Sequence, residues 1–250
     1  ATLRVSDYSH GWLIPLVSLA ALWRKREALL AAPRQVYRPA LAAIVFALAM
    51  HWAGIRGQLP RASLLSLVIL CWSIPLYLYG PRVGRLLVFP CAYLLFCIPF
   101  NFLDMISLPL RLLASAVSSG LLNGLGIAAR RVGTAVHSSA GGGFSFDVAD
   151  PCSGIRSLLA LTALTAGYAY FTQDRLWKQW VLFVSAIPLA VIGNVARIVT
   201  IGVVAEFFGQ DQAMRFYHDY SGYIIFVVCV SLLIAEGSFL HRVRTGESRD

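Results

Sequence analysis

Charge is what this sequence has least of. Asp, Glu, Lys and Arg together make up 13% of its 250 residues, while hydrophobic types make up 58%, a balance that excludes an ordinary water-soluble domain. No stretch stays polar long enough to form a separate soluble domain, because apolar runs of helix-spanning length recur from near residue 12 to residue 240. Cysteine is present, but none of the five residues makes a Cys-x-x-Cys pair. That argues against a zinc or thioredoxin-type site, and the expectation is of a chain with no metal and no cofactor. The net charge of +9 calls for no nucleic acid, since Lys and Arg collect in the short cytoplasmic loops of bilayer proteins. Internal repeats, low-complexity tracts and the three-part pattern of a signal peptide are also missing. The sequence starts at Ala1 without Met, so an upstream segment is expected. What remains is an all-α polytopic membrane protein, a single transmembrane domain over 1–250.

Apolar runs predict about seven transmembrane helices: 12–23, 40–55, 62–79, 86–100, 157–172, 181–205 and a last one starting near Ser221. Pro75, Pro90 and Pro99 predict kinks. Residues 103–129 are interrupted by Asp104, Arg111, Asn123 and several Ser and Gly, and are read as one or two amphipathic helices at the interface. With that segment not crossing, the loops 24–38, 80–85 and 173–180 and the tail 241–250 fall on one side and hold twelve of the 21 Lys and Arg residues. That side is predicted to be cytoplasmic, which puts 130–152 and 211–220 on the extracytoplasmic face. A crossing by 103–129 would force the five-charge loop 24–38 outside, so the non-crossing arrangement is preferred.

Residues 130–149 change character. Val132, Thr134 and Val136 alternate, as do Phe144, Phe146 and Val148, around a Ser- and Gly-rich tip at 138–143. This pattern predicts a short extracytoplasmic β-hairpin. It delivers the chain to Asp150-Pro151-Cys152-Ser153-Gly154-Ile155-Arg156, where Asp is a good N-cap and Pro suits the first helical position. Cys152 is then expected in the first turn of a helix, where the dipole and Arg156, four residues on, both favour the thiolate, while Asp150 opposes it. The plainer alternative is a capped helix start with a small buried Cys and a snorkelling Arg.

Run 181–205 holds one charged residue, Arg197, within Gly193-Asn194-Val195-Ala196-Arg197-Ile198. A lone Arg in a membrane helix points to function by default, and snorkelling toward headgroups is its rival. At about 1.5 Å per residue Arg197 reaches the outer leaflet, the level expected of Cys152. Arg215-Phe216-Tyr217-His218-Asp219-Tyr220 brings His218 to the same face, either as part of an aromatic belt or as a titratable base. His10 also falls on that side. Cys, Arg and His together supply a nucleophile, a fixed positive charge and a base. The competing class is a transporter or channel in which Arg197 lines an anion pathway.

At these residues the chain resembles the exosortase/archaeosortase family of membrane cysteine transpeptidases or proteases. The matching pieces are Tyr8-Ser9-His10-Gly11-Trp12-Leu13-Ile14-Pro15 with the Trp-Arg-Lys-Arg cluster after it, the Phe-Pro and Ile-Pro pieces of 89–99, Pro151-Cys152-Ser153-Gly154-Ile155-Arg156-Ser157-Leu158, Asn194-Val195-Ala196-Arg197-Ile198, and His218 with Gly222. Pro151 stands where Ala is more usual, and members usually carry a further helix ahead of the Ser-His-Gly piece. The resemblance implies Cys152 as nucleophile with Arg197 and His218 completing the catalytic set, and Ser153, Gly154, Arg156, Asn194 and His10 in support. It further implies membrane-anchored substrate proteins, each with a C-terminal sorting signal made of a short motif such as Pro-Glu-Pro, a transmembrane helix and basic residues. The acceptor would be an amine, a polysaccharide, a lipid or water, and the function one linked to exopolysaccharide production and surface delivery. The site would face outward from the cytoplasmic membrane.

Overall fold

A computed structural model describes residues 12–98, 102–138, 145–147 and 154–246. Within its helices and strands the side chains at 102–107, 145–147, 154–158, 214, 216–219, 221, 224, 225 and 243–246 are not described. The fold is mostly helical and divides into two compact units, Ala1–Phe100 and Asn101–Asp250.

The first unit contains α1 (Leu13–Arg24), α2 (Arg26–Ala31), α3 (Ala40–Arg56), α4 (Pro60–Tyr79) and α5 (Pro81–Tyr93), with a 3-10 turn over Leu94–Cys97. Pro60 and Pro81 open their helices, where the missing N–H costs nothing. Pro75 and Pro90 lie inside helices, and α5 gives way to the 3-10 turn one helical turn after Pro90. The third expected kink, at Pro99, lies outside the described residues. Helices α3 and α4 pack as a pair, and the interior is lined with small residues: Ala40, Ala47 and Gly54 on α3, Ser66 and Ser73 on α4. Each series is spaced by seven, the spacing of a helix seam. A Cβ at Gly54 would lie 2.8 Å from Ser63 Oγ, so the close approach there requires glycine. Large apolar residues point the other way, with Val45, Phe46, Leu48 and Trp52 of α3 all exposed. Small and polar inside, large and apolar outside, is the pattern of helices whose solvent is lipid.

The basic loops of this unit meet at one end. The Tyr37 N–H donates to the Tyr77 carbonyl at 2.9 Å, and the Arg34 guanidinium lies 5.6 Å from the Tyr79 ring centre. Segment 24–38 therefore lies against the end of α4, and the segment expected as a loop at 80–85 is instead Gly80 and the start of α5. Ser18 of α1 donates to the Pro90 carbonyl at 2.7 Å, and the Trp72 indole to Gly84 at 2.9 Å, which ties α1 and α4 to α5.

The second unit contains α6 (Phe102–Gly124), β1 (Ala129–Val132), β2 (Ala135–Ser138), β3 (Ser145–Asp147), α7 (Gly154–Thr172), α8 (Leu176–Phe208) and α9 (Gln210–Gly246). Helix α8 packs against α6, α7 and α9. Residues 103–129 form one long helix followed by a strand. The face of α6 turned inward carries Ala114, Ser115, Ser118 and Leu122, while Leu108, Leu113, Val117 and Leu121 are exposed. The serines that break the hydropathy of this segment are thus buried packing residues, and Ser115 donates to the Gly133 carbonyl at 3.3 Å. A Cβ at Gly202 of α8 would lie 2.9 Å from the Leu122 methyls.

The strands correct the expected hairpin. Thr134 is not in a strand: Val132 pairs with Ala135, so Gly133 and Thr134 form a two-residue turn between β1 and β2. Gly133 has φ +63° and Thr134 does not have positive φ, the signature of a II′ turn. Alternation across 132, 134 and 136 is produced equally by one strand and by two strands joined at a tight turn, and the glycine decides between them. The result is a three-stranded antiparallel sheet, β1-β2-β3. The expected second strand is present as β3, and the tip lies outside the described residues. Among the described residues, α4 and α8 are long and apolar enough to cross a membrane, and α1 and α3 are apolar but shorter.

Candidate active site

Two helical hairpins set the heights of the candidate residues. Helices α8 and α9 are joined by Gly209 alone, at φ +85°, a left-handed backbone that favours glycine. Contacts between the two helices are symmetric about that residue. Ala205 and Ala213 share a buried cluster four residues to either side. The Cys229 thiol donates to the Leu189 carbonyl at 3.3 Å, twenty residues to either side. The Lys178 ammonium donates to the Leu240 carbonyl, thirty-one to either side. The pairing therefore runs without slip along the whole hairpin. Arg197, twelve residues before Gly209, falls level with Ser221, twelve after it, and His218 is within one turn of that level.

The second hairpin is formed by α7 and α8, joined across residues 173–175. Gly154 lies eighteen residues before the end of α7 and Asn194 eighteen after the start of α8, about 27 Å from the turn in each case. Leu161 of α7 shares a buried cluster with Ala186 and Leu189 of α8, as this pairing requires. The first residue of α7, the Asn194–Arg197 turn of α8 and the 218–221 turn of α9 thus occupy one level of the unit.

At that level Arg197 is 7% exposed and Asn194 9% exposed. A snorkelling arginine carries its head to the protein surface; this one is covered by its neighbours. A guanidinium stays charged at any accessible pH, so burying it is expensive and is retained where the charge is used. Ile198 and Ile201 belong to a core cluster that also takes in Val136 of β2, Ala129 of β1 and Leu122 of α6. The sheet is therefore clamped onto α8 beside Arg197. Beyond His218, at the α8–α9 turn, an open cleft of about 430 Å³ is lined by Asp211, Gln212 and Arg215 among others.

The other expected site residues distribute as follows. Gly154 opens α7, and Arg156 lies in its first turn; His218 lies in α9. The side chains of Arg156 and His218 are not described. Cys152, Ser153 and His10 lie outside the described residues, as does the expected cap at Asp150 and Pro151. Among the described residues no group of three His, Cys, Asp or Glu could hold a metal ion. In the sequence Asn123 reads only as an interruption of an apolar segment, yet its amide accepts from the Ala129 N–H at 2.8 Å and donates to the Ala129 carbonyl at 2.9 Å. The available signal was an amide followed by glycines at the mouth of a strand.

The family model for transmembrane exosortases (Exosortase_EpsH) matches residues 3–235. The chain belongs to this family. The match takes in both units and includes Cys152, Arg197 and His218. No curated protein and no solved structure matches the chain. Membership identifies a membrane protein of the exosortase type, in keeping with the lipid-facing helices of the first unit.

Proposed function

We propose that this exosortase-family protein is a membrane cysteine transpeptidase or protease that cleaves the C-terminal sorting signal of membrane-anchored substrate proteins. The observation that carries the reading is the covered guanidinium of Arg197 at the level where α7 begins and α9 passes. Cys152 is two residues ahead of Gly154 in the chain, a tether of about 7 Å at most. In the proposed arrangement seven helices (α1, α3, α4, α5, α7, α8 and α9) cross the cytoplasmic membrane and α6 lies at its interface. The basic loops and the tail are inside, and the site faces outward.

The chemistry follows from the residue types. The Cys152 thiolate, favoured by the Arg156 charge, attacks the scissile carbonyl. Negative charge develops on the carbonyl oxygen, and the Arg197 fork stabilises it. Collapse breaks the C–N bond, the departing amine takes a proton from His218, and a thioester remains on Cys152. An amine, a hydroxyl of a polysaccharide or lipid, or water then attacks the thioester, gives its proton to the neutral His218 and releases Cys152 as the thiolate.

The test is co-expression with a membrane-anchored reporter bearing such a signal, followed by intact-mass measurement of the reporter. Loss of the signal with the wild-type protein and its retention with Cys152→Ala are expected. Normal maturation by Cys152→Ala would end the thiol mechanism. Impermeant thiol labelling of single introduced cysteines in 130–149 reads the topology, and an inside location there would be incompatible with the proposed site.

A further inference from the structure

The two edges of the sheet in the second unit are treated differently by the chain. Strand order leaves β1 and β3 at the edges. The two-residue turn makes Val132 and Ala135 a hydrogen-bonded pair, and bonding alternates from there, so Arg130 bonds with His137 while the main-chain groups of Ala129 and Arg131 face away from β2. At Ala129 both outward groups are taken by the Asn123 amide, a side chain occupying the place of a further strand. On the other side Val136 faces β3 and pairs with Phe146. The same alternation then turns the N–H and C=O of Ser145 and Asp147 out of the sheet. Among the described residues no strand pairs with β3 on that side.

Two outward N–H and C=O sets, two residues apart, are matched in series by an extended peptide and by little else. Asp147 is five residues ahead of Cys152, so the open edge and the thiol are separated by about 17 Å of chain at full extension. The sheet itself is fixed beside the Arg197 turn through Val136, Ile198 and Ile201. We propose that the outer edge of β3 is the docking strand for the substrate: an extended segment next to the scissile bond adds as a fourth strand, held by the main chain of Ser145 and Asp147, and is led from there to Cys152. The inference rests on the reading of Cys152 as a nucleophile toward a peptide bond. It assigns recognition to main-chain geometry, with side-chain selection left to other parts of the site.

The experiment uses the full-length protein in membranes with Cys152→Ala, so that no turnover is needed. Ser145→Cys is introduced, and the reporter carries a single cysteine at successive positions beside its cleavage point. Oxidative cross-linking that peaks at alternate reporter positions, at least about threefold above the positions between, is the expected result. In the active protein Ser145→Pro deletes an outward N–H and leaves the Phe146–Val136 bonds in place. It should raise KM about tenfold, the value of one lost main-chain bond, with kcat within about twofold. Uniform or absent cross-linking overturns the proposal, as does an unchanged KM in Ser145→Pro. Failure of the underlying reading is distinct, because then Cys152→Ala processes the reporter as the wild type does, whereas failure of docking leaves processing dependent on Cys152 and removes only the periodic cross-links.

Discussion

Helix α8 carries two buried cations, and they are buried differently. Lys178, 4% exposed, sits two residues into the helix and donates to the Leu240 carbonyl of α9. Around it the Gln173 side chain donates to the Gly237 carbonyl at 3.2 Å and Gln179 donates to the Gln173 carbonyl at 2.7 Å. Gly237 itself lies so close to Tyr168 that a Cβ would stand 2.6 Å from the ring. This is a clasp of side chains on main-chain oxygens at the base of the α7–α8–α9 bundle. Arg197, nineteen residues further on, is covered to nearly the same degree but shares its level with the start of α7 and the 218–221 turn of α9. Burial of a cation therefore does not by itself mark a site. A compact ammonium is readily satisfied by carbonyls, whereas a planar guanidinium fork suits an oxyanion.

Substitution can separate the two cations, and the largest effect is expected at Arg197. Arg197→Ala should reduce reporter cleavage by about 100- to 1,000-fold, the usual loss for one oxyanion donor, with no fall in folded protein. Arg197→Lys should be badly impaired as well, because a point charge does not replace the fork. A fully active Arg197→Ala would return this residue to the same structural class as Lys178. At His218 the effect is of another kind. His218→Ala should retain slow turnover, and the step in the rate profile between about pH 5 and 8 should disappear; cleavage measured across pH checks it, and an unaltered profile would take His218 out of proton transfer. Lys178→Met should do the reverse of Arg197→Ala. Loss of its bond to Leu240 should cost about 1 to 2 kcal/mol of stability, seen as a lower unfolding temperature in detergent, with kcat within about twofold. If Lys178→Met stopped cleavage in a folded protein, the contrast between the cations would be wrong. The smallest effects are expected from Cys71→Ala, Cys91→Ala, Cys97→Ala and Cys229→Ala, each of which should keep near-normal activity by the same assay.

The helices were legible because their signal is local. Runs of apolar residues mark α3, α4, α7 and α8 to within a few residues of Ala40–Arg56, Pro60–Tyr79, Gly154–Thr172 and Leu176–Phe208. Less was legible between them. Ser115 and Ser118 look like breaks in a hydrophobic run and are instead the packing face of α6, since membrane helices bury small polar residues against each other. By composition Lys178 belongs to the loop 173–180, and only its position under α9 shows that it is inside the bundle.

For the site, residue types along the chain set the chemistry available: a thiol at the polar border of an apolar run, one guanidinium in the run 181–205, and an imidazole before the last apolar run. These depend on residue type and neighbouring composition, which are properties of the chain. Tertiary structure decided the heights at which the described parts meet. The one-residue turn at Gly209 and the three-residue turn at 173–175 fold three long helices back on one another, and rigid helices carry that alignment over some 27 Å without slip. It also decided where the β1 edge is capped, because the bonds between Asn123 and Ala129 depend on a helix ending beside a strand, an arrangement that no pattern along the chain encodes.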